Sequence, residues 1–313
     1  MSKYTKPWVV CLLASVSCFL WGSAFPGIKI GYEWFHIPSG DAAAQILFGG
    51  CRFFLAGILV ILYGSVTSGY FLKPSGKEWG HAFTVSMFQT ILQYVLFYIG
   101  LAHTPGTKAS IIVGSNVFIA ILTASLIFHQ EKMTREKIIG CFVGFAGVVL
   151  INLKPEGLSL SASFKGEGLV LLSTVAYAVS SAIMKNYSKT DNTVMLSGYQ
   201  FLIGGIVMTL VGLIMGGRIP TVSGKALVML FYLAFASAMA YTIWSHLLKY
   251  NPVSRVAVFC FMTPVFGVIL SAVCLKEDAG ISVIQGILAL VLITVGIIIS
   301  HFERKTVLTD SII

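Results

Sequence analysis

The chain reads as an all-α integral membrane protein, with ten transmembrane helices arranged as two inverted five-helix repeats. Three observations predict this. The 313 residues are 57% hydrophobic and only 11% charged, whereas soluble domains run near 25% charged. The apolar residues fall into runs close to the roughly 20 residues that span a bilayer. The two halves also resemble each other in residue order. A mean hydropathy of +0.89 excludes a disordered chain, because disorder needs low hydrophobicity and high charge.

Apolar stretches bounded by charges or turn residues cover 8–30, 43–66, 80–101, 106–128, 137–153, 167–187, 195–216, 226–248, 253–275 and 281–301. The first follows Lys3 and Lys6 as a signal peptide's apolar region would. It continues through Trp21 to Ile30 with no clear small-x-small cleavage site, so it is expected as an uncleaved first span. Pro7, Pro105 and Pro252 open segments, where a missing N–H costs nothing. Pro26 and Pro264 lie inside spans and free a carbonyl there, which makes them hinges or static kinks.

Orientation follows from the basic residues. With the N-terminus inside, 13 Lys and Arg fall on the inner side and 7 on the outer, and Arg52 stays within a span. The bias expects both termini in the cytoplasm and the protein in the cytoplasmic (inner) membrane. The short loops leave no room for an additional soluble domain.

Several classes drop out. The net charge of +9 is spread singly or in small groups, without the basic stripe that nucleic acid requires. The partners expected are a small-molecule substrate and the lipid bilayer, with no nucleic acid; a monomer and a homodimer both stay open. The six cysteines all lie in apolar runs with no CxxC pair. That supports neither a disulfide framework nor a zinc site, and free packed thiols are expected. No cofactor and no metal are expected.

The halves align at constant register over the second and seventh spans. Gly50, Cys51, Arg52 and Phe53 face Gly198, Tyr199, Gln200 and Phe201, and Gly57, Ile58 and Gly64 face Gly205, Ile206 and Gly212. Glycines at this spacing keep a small-residue stripe on one helix face, along which two backbones can approach closely. Trp21 to Lys29 matches Tyr177 to Lys185, Thr104-Pro105 matches Asn251-Pro252, Lys108 faces Arg255, and Tyr94 and Phe97 match Tyr241 and Trp244. Residues 1–153 are the first five-helix repeat and 154–313 the second, within one membrane domain. Five is odd, so the second half enters the membrane upside down. Inverted repeats with a site near the midplane are the architecture of many secondary transporters.

At these residues a family resemblance emerges. Trp21-Gly22-Ser23-Ala24-Phe25-Pro26-Gly27-Ile28-Lys29 resembles the first-helix signature of the EamA family, within the drug/metabolite transporter superfamily. Arg52-Phe53 with Leu55-Ala56-Gly57 resembles its second helix. Thr263-Pro264-Val265-Phe266-Gly267-Val268 with Glu277 resembles its ninth. The likeness runs from about residue 8 to 301, and the order and spacing of the motifs carry it. It implies ten helices in two inverted halves and transport of small metabolites, often export. One departure is Asn116, which stands before Val117-Phe118 where the family usually has proline.

All twelve Asp and Glu lie in loops or at span ends. Intramembrane carboxylates are the usual proton relays and cation binders. Their absence argues against a carboxylate-coupled drug antiporter, and leaves uniport, exchange or another coupling group. Arg52 is the charge within a span. It either satisfies carbonyls and reaches an interface, or it meets an anionic group such as a substrate carboxylate. Lys29 has the same two readings nearer the surface. Gln89 and Gln93 are four apart on one helix face, so they face protein or water rather than lipid, and Asn116 is similar. Trp21, Tyr94, Tyr177, Tyr241 and Trp244 are aromatics away from the interface belts where Tyr and Trp usually sit. Each is either core packing or cavity lining. The candidate substrate-binding set is therefore Trp21, Arg52, Gln89, Gln93, Tyr94, Asn116, Tyr177, Tyr241 and Trp244. His36, His81, His103, His129 and His301 are expected to be solvated at span ends, and His246 lies deeper. Glu131 and Glu277 end the fourth and ninth spans as interfacial salt-bridge or gating residues.

No GxxxxGK[ST] loop, HExxH motif or paired intramembrane carboxylate is present, which disfavours ATP hydrolysis and membrane proteolysis. The expectation is a secondary transporter of small organic metabolites, amino acids or related compounds, acting by alternating access in the export direction and not as an enzyme. The mixed aromatic and amide lining suits a neutral or zwitterionic solute. The alternative is an integral-membrane transferase for lipid-linked substrates, which would need an acidic metal-binding cluster. A receptor or scaffold is a third class. Neither alternative requires an inverted repeat.

Overall fold

The computed structural model describes residues 3–38, 40–103, 109, 112–153, 163–275 and 283–301. Most of these residues are helical, with no strand among them. We label the helices α1 (Pro7–Phe35), α2 (Ala42–Ser68), α3 (Gly76–Leu101), α4 (Ile112–Ile127), α5 (Arg135–Asn152), α6 (Phe164–Tyr187), α7 (Thr193–Ile214), α8 (Gly224–Tyr250), α9 (Val253–Leu275) and α10 (Val283–His301). Of these α1, α2, α3, α6, α7, α8 and α9 are long and apolar enough to cross a membrane, and α4 and α10 are shorter apolar helices. The first turn of α5 carries Arg135, Glu136 and Lys137. The outer faces are apolar: Leu62, Val66, Phe142, Ile214 and Val228 are all more than half exposed. In water such a surface would aggregate. In hydrocarbon it is the required face, because helices satisfy their backbone groups internally.

Local chemistry sets where helices begin. Asp41 accepts from Ala44 N at 2.9 Å, Glu78 reaches back to Ser75 N at 2.7 Å, and Asn192 accepts from Val194 N at 2.9 Å. Each satisfies a donor that a first helical turn leaves free. α1 runs to Phe35, beyond the expected end at residue 30. Three interruptions are not readable from apolar periodicity. Met87–Leu92 in α3 and Thr123–Ile127 in α4 are π-helical, and Val258–Phe261 in α9 is a 3-10 turn. The last has a local cause. Pro264 has no N–H for the carbonyl of Cys260, four residues back, and the backbone tightens just before it.

The glycine stripe explains the centre of the bundle. α2 and α7 cross antiparallel, with backbone against backbone. A β-carbon on Gly57 would fall 2.6 Å from Leu202 N, and one on Gly212 would fall 2.6 Å from Leu47 N. Gly50 abuts Thr209, Gly205 abuts Phe54, and Gly198 abuts Ile61. Without a hydrophobic drive between helices in lipid, close van der Waals contact of this kind holds them together. α5 and α10 repeat the device, with Gly140, Gly144 and Gly147 against Gly296 and Ile293. Around α2 and α7, α1 packs on α8 and α9, and α6 packs on α3 and α4.

Candidate functional site

Trp21, from α1, points into the middle of the bundle and meets three rings. Its centroid lies 4.9 Å from Trp244, 5.1 Å from Tyr241 and 6.4 Å from Tyr177. Tyr241 shares a 2.9 Å hydroxyl–hydroxyl hydrogen bond with Tyr94. Tyr94 leans on Phe53 at 4.4 Å, Phe53 stacks on Phe201, and Phe201 meets Tyr241 edge-on at 5.0 Å. These separations fall in the range where offset and edge-to-face rings attract. Helices α1, α2, α3, α6, α7 and α8 thus each place a ring in one cluster.

Arg52 sits one residue from Phe53, with its guanidinium 5.2 Å from that ring's centroid. It is 2% exposed. Its Nε donates to the Leu233 carbonyl at 3.2 Å and to Ser237 Oγ at 3.0 Å, and its Nη2 donates to Ser237 Oγ at 2.7 Å. The carbonyl reading of Arg52 therefore holds on one side of the guanidinium, and α8 supplies both partners. A matching contact lies across the α2–α7 crossing, where Thr90 of α3 donates to Gln200 Oε1 at 2.5 Å.

Gln93 lies beside Tyr241, while Gln89 and Asn116 have no ring contact or hydrogen bond to the cluster among the described residues. Gln89 occupies the π-helical turn and is buried next to Thr90. Asn116 opens the continuous stretch of α4 that packs against α6 and α9. Several polar atoms of the expected set have no hydrogen-bond partner although buried: Trp21 Nε1, Gln89 Oε1, Gln93 Oε1, Asn116 Oδ1 and Tyr177 Oη. Folded proteins leave few such atoms unsatisfied, so their concentration here marks a place that accepts polar company. Sequence reading passed over Phe53, Thr90, Gln200, Ser237, Tyr98 and Tyr32. The alignment of Tyr94 with Tyr241 was the signal available for two of them, because the same register pairs Thr90 with Ser237.

The end of the bundle where the chain begins is closed by polar contacts between elements. Glu131, 6% exposed, accepts from Lys137 Nζ at 2.8 Å and from Ser254 N at 2.8 Å, and also from Ser254 Oγ. Lys185 Nζ donates to the Leu248 carbonyl at 2.9 Å, and Gln130 Nε2 to the Ala182 carbonyl at 2.7 Å. His81, expected to be solvated, instead bonds Asp191 at 2.7 Å and stacks on Tyr187 at 3.9 Å. His246 lies near this end too, 4.5 Å from the Tyr4 ring. At the opposite end Thr221 N donates to the Phe35 carbonyl at 3.3 Å. Thr104, Pro105, Lys108 and Glu277 lie outside the described residues, as does the side chain of His301. Two surface clefts, of about 450 and 590 Å³, are lined by Ile112, Phe145 and Phe164 and by Ser125, Gln130 and Glu131 respectively, away from the aromatic cluster.

A membrane-embedded helical bundle with a closed aromatic and polar centre defines a polytopic membrane protein. The chain belongs to the EamA-like transporter family, whose model matches residues 8–153 and 164–300. It is 29% identical over 271 residues to an "Uncharacterized transporter" of Archaeoglobus fulgidus, covering 85% of this chain and 89% of that protein. It is 26% identical to a Salmonella typhimurium protein named "Probable amino-acid metabolite efflux pump", over 85% of this chain and 86% of the relative. A solved crystal structure superposes with a TM-score of 0.75 at 17% identity, covering 93% of this chain and 96% of the other. That likeness is one of fold.

Proposed function

We propose that the protein is a secondary transporter that carries small organic metabolites out across the cytoplasmic membrane by alternating access. In this reading ten spans form two inverted five-helix repeats, 1–153 and 154–313, with both termini in the cytoplasm. The observation that carries it is the pairing of aligned residues with each other at the centre. Tyr94 bonds Tyr241, Phe53 stacks on Phe201, and Trp21 meets Tyr177. The helix contacts support it as well. Exchanging the two halves turns Gly50–Thr209 into Gly198–Ile61, and the packing of α1 on α8 and α9 into that of α6 on α3 and α4. Two halves of one design that share a central floor can trade conformations, opening one side and then the other.

The cargo is held by Trp21, Arg52, Gln93, Tyr94, Tyr177, Tyr241 and Trp244, with Gln89 and Asn116 further along the pathway. Rings and unpartnered amides suit a solute with apolar and polar ends, such as an amino acid or a related compound. The name of the Salmonella relative agrees with that class. Purified protein in liposomes, challenged with labelled amino acids and other metabolites with and without a pH gradient, tests the reading. Saturable flux of at least one solute is expected. Flux equal to that of protein-free liposomes across the panel would overturn it.

A further inference from the structure

Arg52 carries a charge that its surroundings do not balance. A cation within a span is costly unless it is paired or hydrated, and a buried ion without a counter-ion is a strong penalty. The partners of Arg52, the Leu233 carbonyl and Ser237 Oγ, are neutral. Its strong bonds use Nε and Nη2. The carboxylates of the described ion pairs, Asp191 and Glu131, are engaged by His81 and Lys137. The face of Phe53 offers a cation–π contact, a partial compensation.

The other half of the chain serves as a control. Gln200 aligns with Arg52 and Thr90 with Ser237, and the Thr90–Gln200 bond links α3 to α7 as Arg52–Ser237 links α8 to α2. A neutral amide thus makes the same cross-link. Helix packing does not demand the guanidinium.

A second observation points to what does. The Tyr98 hydroxyl is buried, the residue being 1% exposed, and it makes no well-aligned hydrogen bond. It lies beside Arg52 and Tyr32. Tyr98 packs against Gly49, one turn before Arg52, and 6.1 Å from the Tyr94 ring, so two hydroxyls and a guanidinium edge converge next to the aromatic cluster.

We infer that Arg52, Tyr98 and Tyr32 form an anion-recognition site for the carboxylate of an organic monocarboxylate. The apolar remainder of the ligand lies on Phe53 and Tyr94. A guanidinium edge matches a carboxylate in charge and geometry. A dianionic phosphate would leave one charge unbalanced, because Arg52 is the one basic side chain among the described residues of the aromatic cluster and its neighbours. The site reads the carboxylate, and an amino group on the ligand is dispensable. The inference rests on the transport reading for its biological cargo, and on the geometry of Arg52 alone for binding.

Binding to the purified full-length protein tests it, read by thermal unfolding and by the fluorescence of Trp21 and Trp244. The probes are 4-methylpentanoate, leucine, leucinamide and isoamylamine. The two carboxylates bind saturably, and the amide and the amine do not. Arg52→Gln, which installs the residue found at position 200, weakens both carboxylates by at least about tenfold. Tyr98→Phe removes a hydroxyl beside the guanidinium and keeps the ring. Its carboxylate affinity falls about threefold to tenfold, while its unfolding temperature without ligand shifts by no more than that of Arg52→Gln. Equal binding of acid and amide, carboxylate affinity unchanged in both variants, or no saturable signal from either acid overturns the assignment. Acid binding without flux in liposomes would remove the transport reading and leave the anion site standing.

Discussion

Phe53 stacks on Phe201 with ring centroids 5.3 Å apart and planes 9° from parallel. The two phenylalanines are each other's counterparts in the alignment of the halves. A residue can touch its own counterpart only near a two-fold axis, as in any self-complementary contact. In the proposed inverted arrangement, Tyr94 with Tyr241 and Trp21 with Tyr177 are two further contacts around the same axis. In the proposed mechanism this floor belongs to both halves, so a rearrangement on one face is transmitted to the other. The consequences below follow from it and from the latches on either side.

Disturbing the floor lowers flux more than it lowers membrane insertion. Gln93→Ala removes an amide whose Oε1 has no protein partner, so folding loses little. Tyr94→Phe removes the 2.9 Å hydroxyl bond to Tyr241, at a cost to stability of about 1 kcal/mol. Trp244→Ala empties a site that is 1% exposed and costs about 3–5 kcal/mol, so Trp244→Phe is its companion. Flux per inserted molecule is expected to fall at least about tenfold in Gln93→Ala and Trp244→Phe. Flux and insertion falling in equal proportion would count against the cluster as the cargo site.

The α2–α7 crossing tolerates no side chain. A β-carbon on Gly57 meets backbone at 2.6 Å and a helix backbone cannot step aside, whereas at Gly80 and Gly224 nothing lies within 4 Å. Gly57→Leu and Gly205→Leu are expected to lower the unfolding temperature in detergent by several degrees, since overpacking costs about 1–3 kcal/mol. Gly80→Ala and Gly224→Ala stay within about 0.5 kcal/mol of the wild type. Wild-type melting of both leucine variants would mean that these helices do not meet as described.

Glu131 fastens the last turns of α4 to the start of α9. Its carboxylate accepts from Ser254 N and from Lys137 Nζ, both at 2.8 Å, and Lys137 is 5% exposed. Glu131→Ala leaves that ammonium buried without its counter-charge, and a loss of about 3–5 kcal/mol is expected. Adding Lys137→Met removes the stranded charge, so the double variant unfolds at a higher temperature than Glu131→Ala alone. A double variant no more stable than the single one would show that the ion pair is not the source of the loss.

The helices were legible because lipid imposes one simple rule, a long apolar run. The expected span 43–66 lies within Ala42–Ser68, and 253–275 coincides with Val253–Leu275. The end of α1 escaped that rule because Tyr32, Glu33 and Trp34 dilute the apolar pattern while remaining helical. Trp21, Tyr94, Tyr177, Tyr241 and Trp244 were legible as aromatics away from an interface, whereas Phe53 and Phe201 of the same cluster were not, because phenylalanine in a span is ordinary lipid or core packing. Gln89 was not separable from Gln93 by spacing, because the π-helical turn Met87–Leu92 alters how the two side chains project. The Arg52–Ser237, Thr90–Gln200 and His81–Asp191 contacts join residues more than 100 positions apart, and no local pattern carries such pairs. Tyr98 was hidden for another reason: among many tyrosines, only its place beside the Arg52 guanidinium distinguishes it.

The proposed inverted arrangement makes a topological demand that no packing argument can evade. Residues 69–75 follow α2 and residues 215–223 follow its counterpart α7, so inversion puts these two connections on opposite faces of the membrane. Tyr199 bonds the Leu72 carbonyl at 3.0 Å, which ties the first connection to the start of α7. Gly217 lies against Ala43, which ties the second to the start of α2. Reporter fusions or single cysteines at Lys73 and Arg218 are expected to read the cytoplasm and the exterior respectively, in agreement with the excess of Lys and Arg on the inner side. The same compartment for both sites would mean that α2 and α7 enter the membrane in one direction. Their counterpart contacts would then have no two-fold axis to lie on, and alternating access by exchange of two inverted halves would lose its structural basis.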